Sequence, residues 1–242
     1  MFFYLNVNAQ DTPPPNKASN TNKLIREQAG RPDLPGDLTI ELGLNYLMDT
    51  PEGMDMNLWG SKTFNAYYQY PLRIAESGFY FFPGLGIATE KYAFKDAKTI
   101  GYVEDDLGND VLQIIELDTI LPDGVKKSKI ANTYIEVPIE LRWNLKKNDP
   151  KRSFKVILGA KIGYLIDSKT KIKYQDMGET KITKQKEGFN LSELRYGIYG
   201  KVGYGSFTAF YYYSLSPLFQ SNKGPSRTTA APMIFGISLA LF

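Results

Sequence analysis

Long stretches in which apolar and polar residues alternate strictly are the feature that most constrains the fold of this chain. Within residues 131–145, Ile135, Val137 and Ile139 have one parity, whereas Glu136 and Glu140 have the other. A period of two residues is the signature of a β-strand whose two faces lie in different surroundings. The same alternation is found in eight runs, at residues 38–48, 63–74, 78–95, 131–145, 153–171, 190–204, 206–216 and 232–242.

The lengths of these runs favour a membrane as the surroundings of one face. Most of them match or exceed the roughly 9–11 residues that a tilted strand needs to cross a bilayer, whereas strands of soluble sheets average about 5–6 residues. The chain has no apolar run of ~18 residues that would form a transmembrane helix. The predicted fold is all-β, an eight-stranded antiparallel up-and-down transmembrane β-barrel. A wholly soluble β-sandwich is the alternative.

The connections between the runs alternate in length. Residues 49–62, 96–130, 172–189 and 217–231 are long, whereas 75–78, 147–151 and 204–205 are tight. Barrels of the bacterial outer membrane have long extracellular loops and short periplasmic turns. The order long, short, long, short, long, short, long therefore predicts an outer-membrane protein with its N- and C-termini in the periplasm.

Composition divides the chain into three parts. Residues 1–10 are apolar-leaning and end in Asn8-Ala9-Gln10, which is typical of a signal peptide remnant cleaved after Gln10. Residues 11–36 are rich in Pro, Asn and Lys and predict a periplasmic N-terminal arm. Residues 37–242 form the predicted outer-membrane β-barrel.

The inward-facing parity carries nearly balanced charges. An eight-stranded barrel is just wide enough to be filled by side chains, and an unpaired buried ion is very costly. We therefore expect a closed lumen with a paired charge network. Its predicted members are Glu41, Arg73, Glu90, Glu136, Glu140, Arg142, Lys155, Lys161, Glu193, Arg195 and Lys201. A narrow polar pore, or an active site built on the carboxylate pair of Glu136 and Glu140, is the functional alternative.

Several functions are disfavoured by what the chain lacks. It contains no histidine and no cysteine, so histidine-dependent catalytic pairs, thiolate nucleophiles and the usual metal ligands are missing. The net charge of +3 is small and the basic residues are scattered, which does not favour nucleic acid as a partner. We predict no enzyme, and no catalytic, cofactor-binding or metal-binding residues.

Two features of the long loops are candidate contacts. The loop at 96–130 contains an apolar run, with Val111, Leu112, Ile114, Ile115 and Leu117 as a candidate partner contact. The alternative is a β-hairpin above the membrane whose apolar residues pack on one another. Lysine-rich segments at 126–129 and 169–186 are candidate contacts for lipopolysaccharide phosphates, or simply solvated loop tips.

The strands also resemble a known family. Tyr134-Ile135-Glu136-Val137-Pro138-Ile139-Glu140-Leu141-Arg142-Trp143, Leu158-Gly159-Ala160-Lys161-Ile162-Gly163-Tyr164-Leu165, Leu194-Arg195-Tyr196-Gly197 and the final Phe235-Gly236-Ile237-Ser238-Leu239-Ala240-Leu241-Phe242 are similar to strands of PorT-like outer-membrane barrels of the Bacteroidota. The resemblance implies an eight-stranded barrel without catalytic residues, in a family whose namesake takes part in type IX secretion. The terminal Phe242 departs from the usual pattern, because Ala240 and Ser238 precede it on its parity.

Two kinds of function are therefore expected. The first is an accessory or structural subunit of an outer-membrane complex for secretion, assembly or uptake, with outer-membrane lipid, lipopolysaccharide and another outer-membrane or periplasmic protein as partners. The second is a narrow channel for small solutes.

Overall fold

The computed structural model describes residues 36–121, 124–147, 149 and 152–241. Its strands are β1 (Asp37–Met48), β2 (Lys62–Gln69), β3 (Leu72–Arg73), β4 (Phe79–Ala93), β5 (Lys98–Glu104), β6 (Asp110–Glu116), β7 (Val125–Asn144), β8 (Phe154–Asp176), β9 (Glu179–Lys186), β10 (Leu194–Tyr204), β11 (Phe207–Ser214) and β12 (Ala231–Ala240). A short 3-10 helix spans Pro225–Arg227. The predicted signal peptide remnant, residues 11–35 of the predicted arm, and Phe242 lie outside the described residues.

Eight of these strands close into a ring. Each is antiparallel to both neighbours, in the order β1, β2, β4, β7, β8, β10, β11, β12 and back to β1. The closing pair, β1 with β12, runs in register from Thr39 opposite Ala240 to Met48 opposite Ala231. The predicted eight-stranded up-and-down barrel is confirmed. Closure pairs the backbone of every strand in the ring, which a sheet in lipid requires.

Alternation along each strand turns the barrel inside out relative to a soluble protein. In β7, Ile135 is 44% exposed, whereas the next residue, Glu136, is 0% exposed. The same contrast holds in β1 between exposed Leu42 and buried Glu41. A wide apolar surface of this kind is stable against hydrocarbon and unfavourable against water. The apolar side chains therefore form the outer wall, and the polar ones fill the lumen.

Several strands extend beyond the predicted runs at the end of the barrel that carries the long connections, the long-loop end. β7 has 20 residues and β8 has 23, and β8 continues into a hairpin with β9. β5 and β6 form a separate two-stranded sheet within the loop at 96–130. The extensions of β7 and β8 and strand β9 were not predicted, because lysines rather than apolar residues occupy much of their outward parity. The β5–β6 hairpin is the alternative expected for the loop at 96–130.

A hydrophobic cluster closes the long-loop end. It brings together buried side chains from strands and loops: Leu47, Met54, Tyr92, Phe94, Ile100, Leu112, Ile130, Phe189, Leu191, Leu218 and Phe219. Each buried aliphatic or aromatic side chain of this kind contributes about 1.5–3 kcal/mol when removed from water. The long loops are thus folded onto the barrel and cover its mouth.

Within the part of the chain that the structure describes, no helix is both long and apolar enough to cross a membrane.

One glycine shows how tightly the wall is packed. Gly86 of β4 lies opposite Tyr67 of β2, and a Cβ atom added to it would lie 2.1 Å from the Ala66 carbonyl oxygen. The missing side chain therefore leaves the room that the buried Tyr67 ring occupies.

We expect Gly86→Ala to lower the free energy of unfolding by about 1–3 kcal/mol, because the new methyl group displaces backbone. The measurement is the folded fraction after refolding into detergent micelles at increasing urea, scored by the band shift between unboiled and boiled samples. Gly188→Ala is the matched control, because nothing lies within 4 Å of a Cβ atom added there. Equal stability of the two variants would contradict the packing argument.

Candidate functional site

The lumen holds four acidic and four basic side chains, each no more than 5% exposed. They are Glu41, Glu90, Glu136, Glu140, Arg142, Lys161, Arg195 and Lys201. All eight lie on the inward parity of ring strands, which directs them at one another. Because the two signs balance, the lumen is neutral as a whole.

A first layer lies toward the short connections. The Lys201 ammonium lies between two carboxylates, 2.7 Å from Glu41 Oε1 and 2.6 Å from Glu140 Oε1. Lys161 Nζ lies 2.7 Å from Glu41 Oε2, and Arg142 Nε lies 2.6 Å from Glu140 Oε2. Arg142 also bonds Asp37 at 3.0 Å at the edge of the barrel. These ion pairs join β1, β7, β8 and β10 across the lumen.

A second layer lies toward the long-loop end. The Arg195 guanidinium binds the carboxylates of Glu136, 2.5 Å away, and of Glu90. Tyr67 donates a hydrogen bond to Glu136 Oε2 at 2.5 Å, and Tyr92 donates one to Glu90 Oε2 at 2.6 Å. Charge-assisted hydrogen bonds of this kind are about twice as strong as neutral ones. Each carboxylate of this layer therefore has a cation and a phenol as partners.

Aromatic rings fill the space between the charges. The Lys161 ammonium lies 4.7 Å from the ring centre of Tyr67 and 4.8 Å from that of Tyr199. The Arg195 guanidinium lies 3.9 Å from the ring centre of Tyr134. Ring faces attract cations, and the attraction grows where water is excluded. A crevice beside Arg142 and Lys201 has a volume of only about 10 Å³, which is at the limit for a single water molecule.

The carboxylate pair considered as an alternative active site does not form. Glu136 and Glu140 do not form a carboxylate pair, because Arg195 holds the first and Arg142 and Lys201 hold the second. Each carboxylate is thus engaged by cations of the barrel wall rather than by the other carboxylate. Among the described residues, no group of three or more acidic side chains is placed to hold a metal ion.

Comparison with known proteins identifies the family. A family model described as an outer membrane protein beta-barrel domain matches residues 9–220. The chain belongs to this family. It is therefore an outer membrane β-barrel, while the PorT-like assignment remains a resemblance. No curated protein matches the chain.

Solved structures resemble this outer membrane barrel only distantly. Ail, the attachment invasion locus protein of Yersinia pestis, is 13% identical over 85% of this chain and 97% of its own, with a TM-score of 0.31. Ail in complex with the heparin analogue sucrose octasulfate is 14% identical over the same shares, also with a TM-score of 0.31. A mutant porin from Rh. blastica is 9% identical over 85% of this chain and 99% of its own, with a TM-score of 0.20.

Two charged residues of the predicted lumen set lie outside the lumen, and a third lies at its mouth. Arg73 is exposed, because β2 ends at Gln69 and Arg73 belongs to the two-residue β3, which pairs only with β4. Glu193 is exposed because β10 begins one residue later, at Leu194. The prediction that these two lie in the lumen is wrong. Lys155 is half-buried at the lumen mouth, beside Arg142 and Lys201.

The candidate partner contact in the loop at 96–130 is mostly turned inward. Leu112 is 1% exposed and Leu117 is 5% exposed. Leu112 belongs to the hydrophobic cluster at the long-loop end, and Ile114 packs against that cluster. Val111, at 40% exposed, remains accessible. As a surface for a partner, the predicted set is therefore wrong for Leu112 and Leu117, and the β5–β6 hairpin forms instead.

Tyr102 ties this hairpin to the loop before β10. Its ring stacks on that of Phe189, with centres 6.5 Å apart, and its hydroxyl donates a hydrogen bond to Asn190 Oδ1 at 3.2 Å. Burial raises the pKa of the Tyr102 phenol, so it stays a hydrogen-bond donor. The hairpin is thereby fixed to the barrel mouth.

Sequence reasoning missed the aromatic half of the lumen. Tyr67, Tyr134 and Tyr199 have the inward parity of their runs, so alternation contained the signal. Tyrosine suits a strand on either face, so its presence in a strand does not by itself indicate a lumen residue. Gln69 has the inward parity of its run, but it is uncharged and was not included in the charge network. Asp37 was missed because it lies at the start of β1, where the alternation of residues gives little information.

Lys201→Met should lower the free energy of unfolding by about 3–5 kcal/mol, because it leaves the buried Glu41 and Glu140 short of a cation. Urea unfolding in detergent micelles measures the loss. Arg73→Met, which removes an exposed cation, is the matched control and should change stability by less than about 0.5 kcal/mol.

The double variant Lys201→Met/Glu140→Gln separates charge balance from packing. We expect it to be more stable than Lys201→Met alone, because removing one carboxylate restores neutrality. A double variant that is less stable than the single one would contradict a charge network of the kind described.

Proposed function

We propose that this outer membrane barrel is a non-enzymatic, non-conducting protein that acts as an accessory or structural subunit of an outer-membrane complex. The single observation that carries the proposal is the lumen, where eight buried charges pair with one another. Because the lumen is filled in this way, the loops and the outer wall are the surfaces that can bind a partner.

Closure of the lumen rests on two barriers in series. Ion pairs bridge opposite walls in the first layer, from Glu41 of β1 to Lys161 of β8 and Lys201 of β10. At the long-loop end, Phe189, Phe219 and their buried neighbours cover the mouth. A solute would have to break several charge-assisted contacts and then displace an apolar cluster. These barriers argue against the alternative function as a narrow channel.

The proposed orientation has both ends of the barrel in the periplasm and the long loops outside the cell. It is supported by the pairing of Thr39 with Ala240, which puts the start of β1 and the end of β12 at the end with short connections. Barrels of this membrane keep short turns on the periplasmic side.

Purified protein in planar bilayers should give no stable single-channel steps at physiological salt, because ion pairs bridge opposite walls of the lumen. The same preparation unfolded by heating provides the background, and band shift in unboiled gels shows that the tested sample is folded. Reproducible steps of one conductance from folded protein would overturn the closed lumen and favour the channel.

The proposed partner surface is at the long-loop end. The β5–β6 hairpin stands there with Leu107 at its turn, 85% exposed, and Trp59 and Ile120 are 77% and 62% exposed on neighbouring loops. Exposed apolar side chains on ordered loops are typical of contact sites. The resemblance to PorT-like barrels favours a secretion complex such as type IX over assembly or uptake.

A photo-crosslinking residue at position 107 should give a discrete adduct with another envelope protein in native membranes, because the hairpin turn faces the partner. Leu145 is the matched control, since it is 62% exposed but follows β7 at the end with short connections. Adducts from position 145 alone would move the partner to the periplasmic side. If neither position gives an adduct and the barrel migrates alone in native gels, the accessory role is wrong.

A further inference from the structure

Lysines of four neighbouring strands line up on the outer wall near the long-loop end. In one register row, which we call the central row, Lys129 of β7, Lys171 of β8 and Lys184 of β9 lie side by side. In the next row toward the barrel, Lys91 of β4 and Lys169 of β8 flank Ala131, and Lys169 pairs with Lys186. We call these six residues the lysine face: Lys91, Lys129, Lys169, Lys171, Lys184 and Lys186.

The lysine face points outward, away from the lumen. Residues directly opposite in an antiparallel pair lie on the same side of the sheet, so all side chains of one row point to the same side. Along β7, Lys129 and Ala131 share the parity of Ile135, which is exposed on the apolar wall, whereas Ile130 and Asn132 between them are 0% exposed. The face is thus a direct continuation of the apolar wall.

The charges of this face are largely uncompensated. Asp167 pairs with Lys169 at 2.8 Å and with Lys186 at 2.7 Å. In the part of the chain that the structure describes, Lys129, Lys171 and Lys184 make no ion pair, and Lys91, Lys127 and Lys171 all repel the Lys129 ammonium. Like charges directly opposite in a sheet are destabilising. An anionic ligand bound to this row of three adjacent lysines would relieve their mutual repulsion.

The position of the lysine face along the barrel axis indicates which kind of anion it can bind. Ile135 is the last exposed large apolar residue of β7 toward the long-loop end. Lys129 lies six residues beyond it, about 20 Å of strand at ~3.3 Å per residue before tilt is considered. That places the ammonium groups just beyond the hydrocarbon, where lysine side chains extend toward lipid head groups. The face is also one-sided, since the outward positions at this end of β1 and β12 carry Tyr46, Met48, Met233 and Ala231.

We infer that the lysine face binds the phosphate groups of a phosphorylated glycolipid in the outer leaflet, the lipid A part of lipopolysaccharide. Each phosphate monoester carries a charge of about −1.5 to −2 at neutral pH, so two of them match the unpaired lysines of the central row. The acyl chains of the same lipid would lie along the apolar wall directly below. The inference rests on the proposed orientation, with long loops outside, and is independent of whether the lumen conducts.

The test compares two triple variants of the full chain in detergent micelles. Lys129→Gln/Lys171→Gln/Lys184→Gln removes the central row. Lys146→Gln/Lys147→Gln/Lys223→Gln removes the same charge from exposed lysines elsewhere and is the matched control. Each protein is titrated with bisphosphorylated lipid A and, separately, with lipid A lacking both phosphates, and the bound lipid is counted by native mass spectrometry.

We expect the central-row variant to bind bisphosphorylated lipid A at least ~10-fold more weakly than wild type, because each basic residue near a charged lipid surface contributes measurably. The control variant should bind like wild type, and the phosphate-free lipid should bind all three proteins equally weakly. In micelles without lipid A, the central-row variant should be at least as stable to urea as wild type, because repulsion is relieved.

Three results would overturn the inference. The first is an equal loss of affinity in both triple variants, which indicates non-specific attraction. The second is binding of the phosphate-free lipid to the wild-type protein as tightly as the bisphosphorylated lipid. The third is unchanged binding of bisphosphorylated lipid A in the central-row variant. If that variant also loses a co-purifying acidic protein, the face belongs to a protein partner instead. Conductance in planar bilayers would leave this inference intact while overturning the closed lumen.

Discussion

The contact of Lys201 with both Glu41 and Glu140 is the interaction on which the rest of the barrel depends. Most exposed apolar residues of the ring strands lie on the outer wall, so few aliphatic side chains are left for an interior core. The lumen is filled instead by ions of both signs, and Lys201 connects carboxylates on β1 and β7 from β10. Buried pairs of this kind add modest net stability, but removing one member is costly. Neutrality of the lumen is therefore a condition for the fold.

A small buried cluster of Tyr199, Phe210, Tyr212 and Ile234 lies within the ring strands, and the larger one lies at the long-loop end, where loops and strands both contribute. Met54, Phe189 and Leu218 come from connections between strands and meet Leu112 of the β5–β6 hairpin. The long connections are thus part of the folded barrel, and they hold a defined surface at its outer end.

The period of two residues predicted the eight ring strands, because each has one face in lipid and one in the lumen. Glu136, Glu140 and Lys161 could be assigned to the lumen for the same reason. Arg73 and Glu193 could not, because Pro71 separates β3 from β2 and because the first pairing residue of β10 is a matter of register that sequence does not contain. The extensions of β7 and β8 were hidden by their lysines, since alternation of charged with polar residues gives a weak strand signal.

The lumen contacts also bear on how the chain enters the membrane. Glu41 is bonded to Lys161, 120 residues further along the chain, and to Lys201 beyond that. A sheet of β1 and β2 alone would expose the Glu41 carboxylate to hydrocarbon without either cation. Insertion of that hairpin alone is therefore costly, whereas the completed ring places both cations beside Glu41. The paired ions of the lumen therefore favour insertion of the completed ring over insertion of single hairpins.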